Sequence, residues 1–232
     1  MTRILLSVVL SGALLGACAS SAPDTDSDLL DPDGWSAMLS TGLAVAPVAG
    51  ANVITGSADA AAFFSDELDA ALRNALPGTR VISSDEVYAR LEAGGADAQA
   101  RLRSLRRRLV RELDLDANEL AAIATDVGQR FLLVVFMDEG AVDGVQRTKL
   151  DDLEAFSYSM DTHGYPTGEL RGRAIGHLLD LQAGTRIWET TVRYESENLA
   201  TAGQNAMRLI DETRADAVFR LSEALALANR GS

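Results

Sequence analysis

The hydrophobic period changes several times along the chain, and each change predicts an element. "LAVAPVAG" at 43–50 is a short apolar run closed by Pro47 and Gly50, the pattern of a buried strand. After Ser57, a candidate N-cap, Phe64, Leu68, Ala71, Leu72 and Ala75 recur at three- and four-residue spacing and predict an amphipathic helix ended by Pro77 and Gly78. "TRVIS" at 79–83 predicts a second short strand. Ser83 with Glu86 three residues on is a capping box, opening a helix that stops at Gly94-Gly95. Leu102, Leu105, Leu109 and Leu113 predict a helix over 97–113. Asp116 with Glu119 opens another, with Leu120, Ile123, Ala124 and Val127 on its apolar face and Gly128 at its end. "FLLVVFM" at 131–137 has no polar alternation and predicts a central strand covered on both faces.

Residues 138–168 are polar and turn-rich; the alternation of Phe156, Tyr158 and Met160 with serines allows one edge strand there. "ELRGRAIGHLLDLQAGTRIWETTVRYE" predicts a long hairpin turning at Gln182–Thr185. Gly172, Ala174 and Gly176 lie on one face of its first strand, where small residues admit a closely packed helix. A closing helix follows over Ala202 to Ala228. Helices between the early strands favour parallel crossovers and the hairpin adds antiparallel pairing. The fold class is therefore a single α/β domain: a mixed sheet of four to six strands, helices packed on it, a long C-terminal hairpin and a closing helix.

Residues 1–17 read as a signal segment: Arg3, an apolar stretch over Ile4 to Leu15, then small residues before Cys18. An apolar core of about twelve residues is short of the roughly 20 a spanning helix needs. Leu15-Gly16-Ala17-Cys18 resembles the lipobox of bacterial lipoproteins, the alternative being an ordinary secretory signal with a chance cysteine. The resemblance implies acylation and cleavage at Cys18, and Ala19, where inner-membrane lipoproteins carry Asp, points to the outer membrane. Two or three acyl chains at about 0.8 kcal/mol per buried CH₂ hold a protein essentially permanently. Residues 18–40, rich in Ser, Asp, Pro and Gly, read as the lipidated cysteine and a flexible acidic tether, about 25 Å long as a coil, ahead of a periplasmic domain over 41–232.

The formal charge is −13, and −14 once residues 1–17, which hold Arg3 and no acid, are removed. So acidic a chain is a poor partner for nucleic acid. A single cysteine excludes a disulfide within the monomer, so stability must come from a core that 47% hydrophobic composition can supply. Against this charge, Arg101, Arg103, Arg106, Arg107, Arg108 and Arg111 crowd the helix over 97–113. Arg103, Arg106, Arg107, Arg108 and Arg111 are candidate partner-binding residues; the plainer alternative is a solvated face whose arginines pair with nearby carboxylates.

Chemistry is otherwise sparse. The sequence has no nucleophile elbow, P-loop, dinucleotide fingerprint, zincin or Cys-x-x-Cys motif, and no metal or cofactor is expected. Asp24, Asp26 and Asp28 alternate like the start of a calcium loop, but Leu29 and Trp35 stand where Gly and a bidentate Glu are needed. His177, between Ile175 and Leu179, reads as a hydrogen-bonded structural histidine. His163 with Asp161 offers only two ligands in a loop. Asp138-Glu139 and Asp151-Asp152 are neighbours that 34 acids produce by chance.

"LAVAPVAG", "TRVISSDEVYARL" (79–91), "GQRFLLVVFM" (128–137) and "GHLLDLQAGTRIWETTV" (176–192) together resemble a periplasmic domain found in the amino-terminal part of TolB, the curli-secretion lipoprotein and the lipoprotein activators of penicillin-binding proteins. Its hairpin signature is matched by Leu178, Asp180, Gly184 and Trp188. The resemblance implies protein interaction at the envelope. Residues 138–168 lack the long alternating strands of the curli pore, and the short tether suits poorly an activator that must cross the cell wall. The expectation is a non-enzymatic, membrane-anchored periplasmic lipoprotein acting as an assembly or accessory factor, with an unidentified envelope protein or a second copy of the chain as partner. A small-molecule or glycan binding module is the alternative, and an envelope hydrolase the third.

Overall fold

The computed structural model describes residues 25–50, 57–142 and 169–231. Six strands order as β1-β7-β6-β5-β2-β4: β1 (Thr25–Leu29), β2 (Leu43–Val45), β4 (Val81–Ile82), β5 (Phe131–Val142), β6 (Glu169–Asp180) and β7 (Thr185–Asn198). The two-residue β3 (Ala49–Gly50) also pairs with β5. β4, β2 and β5 run parallel, whereas β5, β6, β7 and β1 are antiparallel neighbours. This is the mixed α/β sheet that the crossover helices and the hairpin require.

Alternation in the strands sends side chains to two cores. On one face Leu43, Val45, Leu133, Leu178 and Trp188 pack beneath α1 (Pro32–Thr41), α2 (Ser57–Ala75) and α7 (Ala206–Gly231), which supply Trp35, Leu68 and Leu221 among others. On the other, Ala44, Leu132, Val134 and Leu179 pack beneath α3 (Ser84–Ala93), α4 (Gly95–Val110) and α5 (Ala117–Val127). β5 is buried on both faces, as its unbroken apolar run requires. At Gly176, a Cβ would sit 3.1 Å from the Trp188 ring and 3.3 Å from Thr190 Cγ2, both on β7, but at an ordinary 3.5 Å from Leu221 of α7, so the missing side chain makes room for the neighbouring strand's Trp188 rather than for the helix. The caps form as expected: Ser83 Oγ accepts from Glu86 N–H at 3.3 Å, and Asp116 from the N–H groups of Asn118 and Glu119. Gly128 takes the left-handed conformation that ends α5.

Four further expectations change. The flexible tether does not extend to residue 40. Thr25–Leu29 pairs with β7, and α1 is capped by Asp31, whose carboxylate accepts from Gly34 N–H at 3.0 Å. Trp35 and Met38 are fully buried, so this segment belongs to the core rather than to solvent. The helix over 97–113 ends at Val110, leaving Leu113 beyond it and exposed. β5 continues through residues 138–142, and the candidate edge strand at Phe156–Met160 lies outside the described residues. The closing helix is divided into α6 (Leu199–Ala202), a 3-10 turn at Gly203–Asn205 and α7.

Candidate functional site

The arginines of α4 separate by face. Leu102, Leu105 and Leu109 point into the core. Arg101 lies at one border, where it forms a bidentate pair with Asp126 at 2.8 and 2.9 Å. Arg108 is held by Glu119 at 3.2 Å and donates to the Asp114 carbonyl at 2.8 Å. Arg106 is turned inward, donates to the Pro47 carbonyl and leaves its Nε buried without a partner; burial lowers its pKa to about 10, which still leaves it charged at neutral pH. These three are structural.

Arg103, Arg107 and Arg111 are exposed, and among the described residues none of their side chains has an ion-pair or hydrogen-bond partner. Their four-residue spacing aligns them along one edge of the helix and its cap. Arg107 and Arg111, with Ser104, Arg108 and exposed Leu113, line a shallow depression of about 310 Å³. Thus the candidate set divides: Arg103, Arg107 and Arg111 form a free cationic stripe, whereas Arg106 and Arg108 are used internally. Cys18, His163, Asp161 and the Asp151-Asp152 pair lie outside the described residues.

A second feature was not legible in the sequence. The helices α3, α4 and α5 cover β4, β2 and β5, and the same face of β6, β7 and β1 holds a cleft of about 380 Å³. Strand register lays out its floor: Asp28 stands opposite Glu189 and Glu189 opposite His177, while Asp26 stands opposite Thr191 and Thr191 opposite Ile175. Leu109, Val110 and Phe136 form an apolar wall, and Glu112, just past the end of α4, closes one side. Its trace in the sequence is the period-two alternation of Asp24, Asp26 and Asp28, which a linker's composition matches equally well.

His177 departs from expectation. It is 8% exposed, but its Nδ1 is buried without a hydrogen-bond partner, 3.8 Å from the Glu189 carboxylate and beyond bonding distance. Burial, and secondarily Arg186, lowers its pKa to about 4. Glu189 is shared with Arg186 at 3.6 Å. Among the described residues no three metal-ligating side chains come together, and no helix is long and apolar enough to cross a membrane.

The four hairpin positions carry structure. Asp180 is buried, receives both Nε and Nη2 of Arg130 and caps the turn through Gln182 and Ala183 N–H at 3.0 Å. Gly184 has φ of 74°. Trp188 donates from Nε1 to Ser27 Oγ at 3.0 Å, fastening β1, and Leu178 fills the core.

No family model matches the chain, and no curated protein does. Among solved structures it is similar to a PelC dodecamer from Paraburkholderia phytofirmans, at 13% identity over 86% of this chain and 96% of that one, with a TM-score of 0.40. Hypothetical protein CT253 from Chlamydia trachomatis gives 11% identity, coverage of 78% and 94%, and a TM-score of 0.44. Lipoprotein GNA1162 from Neisseria meningitidis gives 12%, 74% and 96%, and 0.40. These overlays are partial, and identity this low transfers no site residue.

Proposed function

We propose that this protein is a lipid-anchored lipoprotein of the bacterial outer membrane whose periplasmic α/β domain docks an envelope protein, acting as a non-enzymatic assembly or accessory factor. The observation that carries the docking is the exposed stripe of Arg103, Arg107 and Arg111 on a chain of net charge −13. Three guanidinium groups held in a row without carboxylates repel one another, and an acidic partner relieves that repulsion. Arg also brings planar, weakly hydrated hydrogen-bonding surface suited to an interface. The anchor rests on the lipobox resemblance at Cys18.

The cleft does contain a histidine-carboxylate pair, which hydrolysis would use. An imidazole with a pKa near 4 is a weak general base at neutral pH, and the hydroxyl of Thr190 in the cleft lining is engaged in donating to the Asp26 carbonyl at 2.7 Å. Binding suits these groups better than catalysis.

Two measurements test the proposal. Cys18→Ala should leave the precursor unacylated and release the protein from the membrane fraction; wild-type protein found free in the soluble periplasm would overturn the anchor. Replacing Arg103, Arg107 and Arg111 together by Gln should abolish a salt-sensitive co-purification, whereas an unchanged partner set would remove the stripe from the interface.

A further inference from the structure

We propose that the cationic stripe of α4 docks on the open face of β6, β7 and β1 in a second copy of the chain, forming a two-fold dimer in which each copy makes the same contact on the other. This rests on the stripe being an interface, as proposed above, and names its occupant.

Each half of the contact stands unmatched on the protomer. At 3.6 residues per turn, Arg103 and Arg107 lie about 160° round α4 from the buried Leu105, so they point away from their own sheet. Among the described residues their side chains have no ion-pair or hydrogen-bond partner, and neither do the carboxylates of Asp26 and Asp28 on the open face. The spacings agree. Four residues of helix set Arg103 and Arg107 about 6 Å apart along the axis, and two residues of strand set Asp26 and Asp28 about 7 Å apart. The widths agree too: from β6 to β1 the open face measures about 10 Å between strand axes, the breadth of one helix. Within one protomer the match is out of reach, because α4 turns Leu109 and Val110 to that face and the stripe the other way.

The layout of the sheet selects a second copy as the acidic partner. Helices cover β4, β2 and β5 and leave the same face of β6, β7 and β1 bare, with Leu109 and Val110 at the border. A two-fold axis along that border, parallel to the strands, stacks two copies face to face so that the helices of each fill the bare half of the other. Such an isologous contact closes at two copies and forms its charge pairs twice. Rotation about this axis leaves position along it unchanged, so the Thr25 ends of both β1 strands stand at the same level. Two chains tethered to one membrane through Cys18 require that.

Sedimentation equilibrium of the full chain, in a detergent matched in density to the buffer, counts the copies. Wild type should weigh as two chains. Arg103→Glu with Arg107→Glu makes the stripe acidic, and Asp26→Lys with Asp28→Lys makes the face basic. Each change alone sets like charges against one another and should weaken dimerisation at least about tenfold. All four side chains are exposed, so neither exchange touches the core. Mixed in equal amounts, the two variants should regain the wild-type dimer, because the acidic stripe then meets the basic face and the basic stripe the acidic one. As a second measurement that changes no charge sign, Arg107→Cys with Asp28→Cys in one chain should be joined into linked pairs by a short bismaleimide. The proposal is overturned by a monomeric wild type, by a mass above two copies, by charge variants that dimerise like wild type, or by cysteine variants that stay unlinked. A monomeric wild type whose position 107 still crosslinks a different protein in cells would overturn the second copy and leave the docking stripe standing.

Discussion

Asp180 joins three jobs in one buried carboxylate: it receives the Arg130 guanidinium, caps the β6–β7 turn through two N–H groups, and ends β6. Burial alone would raise its pKa, but the bonds from Arg130, Ala183 and Gln182 outweigh that and hold it below the ordinary carboxylate value. Asp180→Asn keeps the shape and removes the charge, leaving Arg130 unpaired. Because Arg130 is 38% exposed and can turn to water, the expected loss is about 2–3 kcal/mol in urea unfolding, below the range for a wholly buried pair. His177 gives a pH signature. In the unfolded chain it takes up a proton near pH 6.5, whereas in the folded state it does so only near pH 4. The stability tied to its neutral form is therefore complete above pH 6.5 and lost progressively down to pH 4, by about 3 kcal/mol. Asp69, whose pKa burial raises despite bonds from Ser84, acts with the opposite sign. Comparing the pH dependence of wild type with that of His177→Leu isolates the histidine, and parallel curves between pH 4 and 6.5 would contradict this environment. The hairpin residues were legible because each fills a local role visible in spacing. The missing partner of His177 was not, since it depends on cross-strand geometry with Glu189.

At the scale of elements, residues 25–41 decide how the domain begins. Trp35 is fully buried between strands and helices on the α7 side of the sheet. Trp35→Ala should cost about 3–5 kcal/mol in denaturant unfolding, the usual loss for a large core aromatic. A tether would show no change. The polar composition of this segment resembles a linker, yet it folds as a five-residue edge strand and a ten-residue helix. Edge strands are short and polar when one face meets solvent, so their composition overlaps that of loops. Helix caps and the apolar run of β5, in contrast, are signalled within a few residues and were legible directly. The sequence shows six arginines between residues 101 and 111, five of them within α4, but not that Arg106 turns inward to the Pro47 carbonyl. That contact spans 59 residues, a distance at which helical period carries no information.

At the scale of the molecule, charge, coverage of the sheet and reach from the membrane combine. The order of strands and the choice of α/β class followed from the alternation of elements, whereas the cleft arises because three helices cover only part of one sheet face. With β1 beginning at Thr25, the chain between it and Cys18 spans at most about 25 Å, so a lipidated protein would keep its domain against the bilayer surface. A docked partner must then lie at the same membrane. The stripe of α4 and the exposed Phe219 of α7 lie on opposite sides of the sheet, which makes them a matched test and control. The most direct measurement places a photo-crosslinking amino acid at position 107 or 219 of the full chain in intact cells. Docking through the arginine stripe predicts a discrete protein adduct from position 107 that high salt during wash-out before irradiation diminishes, and none from position 219; adducts from position 219 alone would contradict it.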